Sequence, residues 1–237
     1  MIYHLISTSL PGNSNNDVVL DAESNLIPTI RLLDCARKLK IKKIIFFSSG
    51  GTVYGQSSGA PVSENHPTKP LCAYGVHKLG IELYLGLYHE IFGLDYRVLR
   101  ISNPFGEYQK DNKSQGVIPI FLQKIARNEE IEVWGDGRIV RDYVHVDDVM
   151  RAAVSMLSYF GNEKIFNVGS GKGSSLISII KLLEDLLEKE AKVNFTASRL
   201  EDVKSNVLDI SKIKSELGWT PNITLEEGIK RLVSDLS

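Results

Sequence analysis

The run from Ile41 to Phe47, rich in β-branched and aromatic residues, is stopped abruptly by Ser48-Ser49-Gly50-Gly51. No other stretch restricts this chain so strongly. A strand that is apolar on both faces belongs in a parallel sheet covered by helices on either side. The small residues after it let another molecule approach the backbone closely. Met1 to Ile6 reads as a second buried strand and Tyr96 to Ile101 as a third. Between them lie a Pro/Asn-rich loop from Ser7 to Asp17, a helical pattern from about Asp21 to Lys40, and a second helix from Ala73 to about Phe92. Pro28 is tolerable in the early turns of the first helix. Alternating strands and helices joined by short loops give a doubly wound α/β protein. In such sheets ligands sit beyond the carboxyl ends of the strands, where Ser7, Ser49 to Thr52 and Asn103 fall.

The second half is less regular. Helices are expected at Gly116–Asn128, Asp147 to about Tyr159, Leu176–Glu190, Ser211–Leu217 and Leu225–Leu236. Ile131–Trp134 and Ile165–Val168 read as strands, and Val140–His145 leads into the Asp147 helix. The expected division is one domain from 1–110, to which 140–170 returns, and a smaller mixed α/β lobe from 111–139 and 171–237. Asp147 is expected to cap its helix, His145 to be a core residue, and Gly169–Gly173 to be a turn and not a phosphate loop.

A net charge of −1 and the lack of a basic run argue against a nucleic-acid partner. Cys35 and Cys72 stand in no metal-ligand spacing, so no metal is expected. No apolar run reaches the ~18–20 residues of a membrane span. A reducing cytoplasm is the expected location, with no membrane partner.

Tyr74 and Lys78 stand four residues apart, so on a helix they share one face. A phenol with a pKa near 10 is a poor base at neutral pH, and an ammonium within ~4–6 Å lowers that value. The pair can make an acid/base that works near pH 7. The spacing alone fits a solvated helix face equally well.

Ser-Ser-Gly-Gly-Thr-Val-Tyr-Gly at 48–55, Tyr74 with Lys78, and Arg-Ile-Ser-Asn-Pro-Phe-Gly at 100–106 follow in order. Gly135-Asp-Gly137, then Arg141-Asp142-Tyr143 with His145 and Asp147-Asp148, Phe166–Gly171 and Leu217–Pro221 complete the set. With these motifs the chain resembles the extended short-chain dehydrogenase/reductase family. Within it, the sequence is most similar to NAD-dependent nucleotide-sugar epimerases of the UDP-glucose 4-epimerase type. The resemblance implies Tyr74 as catalytic acid/base, Lys78 as its partner and Thr52 as a further catalytic hydroxyl. It implies Ser7, Ser49, Tyr74, Lys78 and Pro104 at the cofactor, and Asn103, Trp134, Arg141, Arg199 and Asp202 at a UDP- or dTDP-sugar. NAD is the implied cofactor. A homodimer through the helices around Leu26–Leu39 and Ala73–Phe92, with Leu83, Leu87 and Ile91 at the contact, is the implied assembly.

Two departures qualify this. Gly50 stands where the family places a catalytic Ser/Thr, and Thr52 is the residue that could replace it. The glycine-rich turn and following acidic residue that hold the dinucleotide do not occur in residues 1–237, and Met1–Leu5 matches the family's fourth strand. The expected sheet is therefore partial. Three readings stay open: an epimerase, an inactive remnant with the site residues, and another dehydratase or reductase of the family. An Asp-Glu pair before Val-Tyr-Gly, which a 4,6-dehydratase would need, is replaced by Gly51-Thr52.

Overall fold

The computed structural model describes residues 1–56, 61–109, 116–197 and 203–235. Its first sheet has the order β1 (Ile2–His4), β2 (Lys43–Ser49), β3 (Asp95–Ile101) and β7 (Ile165–Val168), all parallel. The three expected strands therefore lie side by side, but the first is only Ile2–His4 and not the buried Met1–Ile6 run expected. His4 alone of that run is buried, because as an edge strand it has a neighbour on one side only. Period-two alternation in β2 divides its side chains between two cores. Ile45 and Phe47 join Leu99, Ile101, Phe166 and Val168 against α5 (Val146–Ser155) and Trp219. Ile44 and Phe46 join Val98 on the other face, under α2 (Ile27–Lys38) and α3 (Ala73–Phe92). This two-sided burial makes the sheet Rossmann-like.

The expected helix from Asp21 is more complicated. It begins earlier, at α1 (Val18–Asp21), with the Asp17 side chain accepting from Leu20 N. A π-helical segment follows at Ala22–Leu26 before α2 starts. Pro28 stands in the first turn of α2, where its missing N–H is tolerated.

Residues 102–106 do more than end β3. After Ser102 the chain forms β4 (Asn103–Phe105) in a second sheet, beside β6 (Val140–His145). β6 also pairs with β8 (Gly173–Ser175) and with β10 (Ser205–Asn206). A parallel ribbon of β5 (Glu130–Trp134) and β9 (Lys192–Thr196) packs on α4 (Val117–Ala126) and α6 (Leu176–Leu187). α7 (Ser211–Leu217) and α8 (Leu225–Ser234) complete the second half. Among the described residues no helix is long and apolar enough to cross a membrane.

Asp147 does not cap α5. The cap is His145, fully buried, whose Nδ1 accepts from Asp147 N at 3.3 Å, and Asp147 lies in the first turn with its charge toward the helix N-terminus. His145 Nε2 stands 3.3 Å from Glu107 Oε2, and its ring packs edge to face with Phe105, 5.4 Å between centres.

Candidate active site

The carboxyl ends of β1 and β2 meet the first turns of α3. That helix gets no cap from Cys72 at its N-cap position. Its first donors are satisfied from the distant Ser7–Asp17 loop: Ala73 N donates to Asn15 Oδ1 at 2.9 Å and Tyr74 N to Ser14 Oγ at 3.1 Å. A small pocket opens beside them, lined by Ser7, Ser9, Asn25, Tyr74, His77 and Lys78 over an apolar wall of Ile6 and Ile81.

Lys78 is buried, and its Nζ donates to Phe47 O at 2.8 Å. The ammonium lies over two rings, 4.8 Å from the centre of Phe46 and 5.5 Å from that of Tyr74. Burial lowers its pKa to about 8, partly opposed by Glu82 one turn along. Tyr74 is pushed up to about 12, again by burial, with Asp21 and Cys72 adding to the rise and a hydrogen bond to Ser7 opposing it. The expected lowering by Lys78 is not seen here, because the ammonium sits against the face of the ring and spends a bond on Phe47. Desolvation then decides the balance.

Of the other expected residues, Ser7 shares the pocket with Tyr74 and Lys78. Thr52, Ser49, Pro104 and Asn103 do not line it. Thr52 packs on the first turn of α3, since a Cβ on Gly75 would stand 3.2 Å from Thr52 Cβ, and Thr52 Oγ1 is buried without a partner. Ser49 and Asn103 flank Gly51: a Cβ there would be 3.8 Å from Ser49 Oγ and 4.0 Å from Asn103 Oδ1. Asn103 also braces β4 against β6 within the second sheet, Nδ2 donating to Asp142 O at 3.0 Å. Arg141 Nη1 donates to Val203 O at 2.5 Å, and Trp134 Nε1 to Glu132 Oε1 at 3.0 Å. Arg199 and Asp202 lie outside the described residues.

Gly50 has a packing explanation. A Cβ there would meet Leu208 Cδ1 at 2.6 Å and Arg100 O at 3.0 Å. A serine at 50 would press into the Leu208 side of the turn, among Val53, Tyr54 and Val62.

Several residues of this region gave no functional signal in the sequence. Behind the Ser-Ser turn, buried Glu82 takes Ser48 Oγ at 2.5 Å and a two-pronged contact from Arg100, Nη2 at 2.6 Å and Nε at 3.1 Å. Arg100 also donates to Tyr54 OH, which donates to Asn167 Oδ1. Asp142 is fully buried and accepts from Ser170 N (2.7 Å), Ser170 Oγ (2.6 Å), Gly171 N (3.1 Å), Leu208 N (3.2 Å) and Ser102 Oγ (3.3 Å). The Gly169–Gly171 turn is thus an anion nest occupied by the chain's own carboxylate. Asn25 enters the pocket from the π-helical segment. An Asn three residues before Pro28 was the only available cue.

A two-faced parallel sheet with a Tyr–Lys pair at its carboxyl edge defines a Rossmann-like α/β protein. The sequence matches the model of the NAD dependent epimerase/dehydratase family over residues 1–169, and the chain belongs to that family. It is 36% identical over 235 residues to a dTDP-4-dehydro-6-deoxyglucose reductase of Escherichia coli, covering 99% of this chain and 74% of that one. A UDP-glucose 4-epimerase of Mycolicibacterium smegmatis is 33% identical over 233 residues, with 98% and 74% covered. Among solved structures, the UDP-glucose 4-epimerase of Thermotoga maritima with UDP-glucose superposes with a TM-score of 0.94 at 36% identity, covering 99% of this chain and 76% of that chain.

Proposed function

We propose that this chain is an NAD-dependent 4-epimerase of a UDP- or dTDP-hexose, with Tyr74 as its acid/base. The observation that carries the reading is the shared pocket of Tyr74, Lys78 and Ser7 at the carboxyl edge of the parallel sheet. That donor set suits the nicotinamide ribose: an ammonium has three protons, of which Lys78 gives one to Phe47 O. Ser7, Tyr74 and Lys78 would hold this end, with Ser49 and Pro104 beside the ring. NAD, when bound, supplies the hydride acceptor for the sugar carbon. Tyr74 takes the proton of the sugar 4-hydroxyl and returns it after the sugar has turned. To act so it must first lose its own proton; burial opposes that loss here, and Lys78, 5.5 Å from the ring centre, does not offset it. Thr52 Oγ1, buried and unpartnered, is the hydroxyl suited to pair with the sugar. Asn103, Arg141, Trp134, Arg199 and Asp202 serve the nucleotide diphosphate, Arg offering a planar fork to phosphate oxygens.

Residues 1–110 with 140–170 are the cofactor-side domain, and the remainder is the substrate lobe. The assembly is a homodimer through α3, whose Leu83, Leu87 and Ile91 are 68%, 47% and 60% exposed at four-residue spacing. Cys35 and Cys72 are free thiols, which suits a reducing cytoplasm.

The test is interconversion of UDP-glucose and UDP-galactose followed by NMR with added NAD. It is run on residues 1–237 and on the same residues preceded by the amino-terminal quarter of a family member. Turnover is expected in the extended form and should fall by about 10³ or more in Tyr74→Phe. An extended, folded, NAD-loaded protein that turns over no UDP- or dTDP-hexose sinks the epimerase reading. Reduction of a 4-keto sugar by NADH, without epimerisation, would favour the reductase reading that the Escherichia coli relative suggests.

A further inference from the structure

Resting on Tyr74 as the acid/base residue, we infer that the buried Glu82–Arg100 pair is a positioning element, which sets the 48–54 turn and its Thr52 against the helix of Tyr74. Tyr74, Lys78 and Glu82 follow one another at four-residue intervals, so all three lie along one face of α3. That face is pinned to β2 at two successive turns of the helix and two successive residues of the strand. Lys78 Nζ donates to Phe47 O at 2.8 Å, and Glu82 Oε1 accepts from Ser48 Oγ at 2.5 Å. Two such pins fix both the rotation of α3 and its travel along its axis. Arg100 closes the joint from β3. Its Nε and Nη2 donate to Glu82 Oε2 at 3.1 and 2.6 Å, while Nη1 donates to Tyr54 OH at 3.1 Å. One ion pair therefore reaches Ser48 at the start of the turn, Tyr54 at its end, and α3. Between the two ends Thr52 packs on the first turn of α3: a Cβ on Gly75 would stand 2.9 Å from Thr52 O and 3.2 Å from Thr52 Cβ.

Filling the core does not call for these charges. On the α3 side of the sheet, Ser48 and Arg100 continue rows that begin with Ile44, Phe46 and Val98. Glu82 and Arg100 are 5% and 4% exposed, and an apolar pair of similar volume would extend that core at equal or lower cost. What the ion pair adds is direction. A guanidinium fork meets a carboxylate in one planar geometry, which aliphatic side chains do not impose. The pair stands where the apolar rows give way to the turn, and Gly50 and Gly51 bring no side chain of their own to fix it.

The full chain with labelled threonine methyl groups tests this by NMR. Thr52→Ser assigns the Thr52 methyl, and its cross-peak to the Gly75 protons reports how the turn sits on α3. Thr29, 2.9 Å from His4 through its hydroxyl, supplies a reference contact elsewhere. In Glu82→Met/Arg100→Met the Thr52–Gly75 cross-peak should be lost, while the Thr29–His4 peak stays and the urea midpoint holds or rises. In the form extended by the amino-terminal quarter of a family member, kcat should fall about tenfold or more, with KM for the sugar nucleotide changed by less than about threefold. Should the double variant not fold, Tyr54→Phe decides. It cuts only the hydroxyl contacts with Arg100 and Asn167, and the cross-peak should weaken. An unchanged cross-peak, or one lost only together with the urea midpoint, overturns the inference and leaves a core-filling pair. The cross-peak is read without turnover. Failure of the epimerase reading would show instead as a lost cross-peak with kcat unchanged, or as an extended form that turns over no sugar nucleotide.

Discussion

Replacing Asp142 by Asn keeps the shape of the side chain and removes its charge. Three backbone donors, Ser170 N, Gly171 N and Leu208 N, point at its oxygens and cannot turn away, whereas the hydroxyls of Ser170 and Ser102 can rotate. If the amide nitrogen takes the Oδ2 place, it faces Gly171 N and Leu208 N. If it takes the Oδ1 place, it faces Ser170 N. Either way at least one buried N–H loses its acceptor, at about 1–3 kcal/mol, and the remaining bonds lose their charge assistance. The sum is roughly 3–5 kcal/mol, the range for breaking a buried charged contact, against a total stability of about 5–15 kcal/mol. Urea unfolding followed by circular dichroism is the assay. With a slope of about 3 kcal/mol/M for a chain of this size, the midpoint should fall by about 1–1.7 M. Exposed Asp136→Asn is the control and should change stability by less than about 0.5 kcal/mol. A loss below about 1 kcal/mol in Asp142→Asn would refute the view that this nest holds β6, β10 and the turn after β7 together.

Gly50→Ala should destabilise the fold by about 1–3 kcal/mol through its clash with Leu208, and Gly51→Ala should be near neutral in the same unfolding assay. Lys78 has a folded pKa of about 8 against 10.5, so the unfolded chain binds more protons between those values and stability rises with pH across that window. Lys78→Met should therefore stabilise the chain by roughly 2–3 kcal/mol near pH 7, an advantage fading between pH 8 and 10.5, as pH-dependent melting would show. By titration calorimetry, residues 1–237 alone should bind NAD at least about a thousandfold more weakly than the extended form. Several charge-assisted bonds at about 1.5–3 kcal/mol each are at stake, and micromolar affinity of the unextended chain would overturn this. Leu87→Glu should convert a dimer into a monomer by light scattering. An unchanged mass would remove α3 from the interface.

The sheet was legible because the 41–47 run carries its information locally: Ile44 and Phe46 face one core and Ile45 and Phe47 the other. The Tyr74–Lys78 spacing likewise survives into the structure as a shared pocket. What escaped depends on partners far away in the chain. The role of Asp142 needs Leu208, sixty-six positions later, and the place of Asn25 needs Thr8 N, seventeen positions earlier. Strands of two or three residues, such as β4, β8 and β10, leave no periodicity to read. At Gly50 the motif suggested a lost hydroxyl, whereas the space around it is set by Leu208 from the other half of the chain.

The helix that carries Tyr74 starts on borrowed caps, Ser14 and Asn15. Its first turn is therefore only as firm as an eleven-residue connection whose side chains, Ser14 apart, face mostly outward. Ordinary drift of sequence in that connection can loosen or tighten the turn without altering any residue of the pocket. The rate at which the amides of Ala73 and Tyr74 exchange with solvent would register such changes first. Relatives with an identical pocket can then differ in how long the phenol stays in register, and mutational libraries confined to the pocket would miss the positions that govern it.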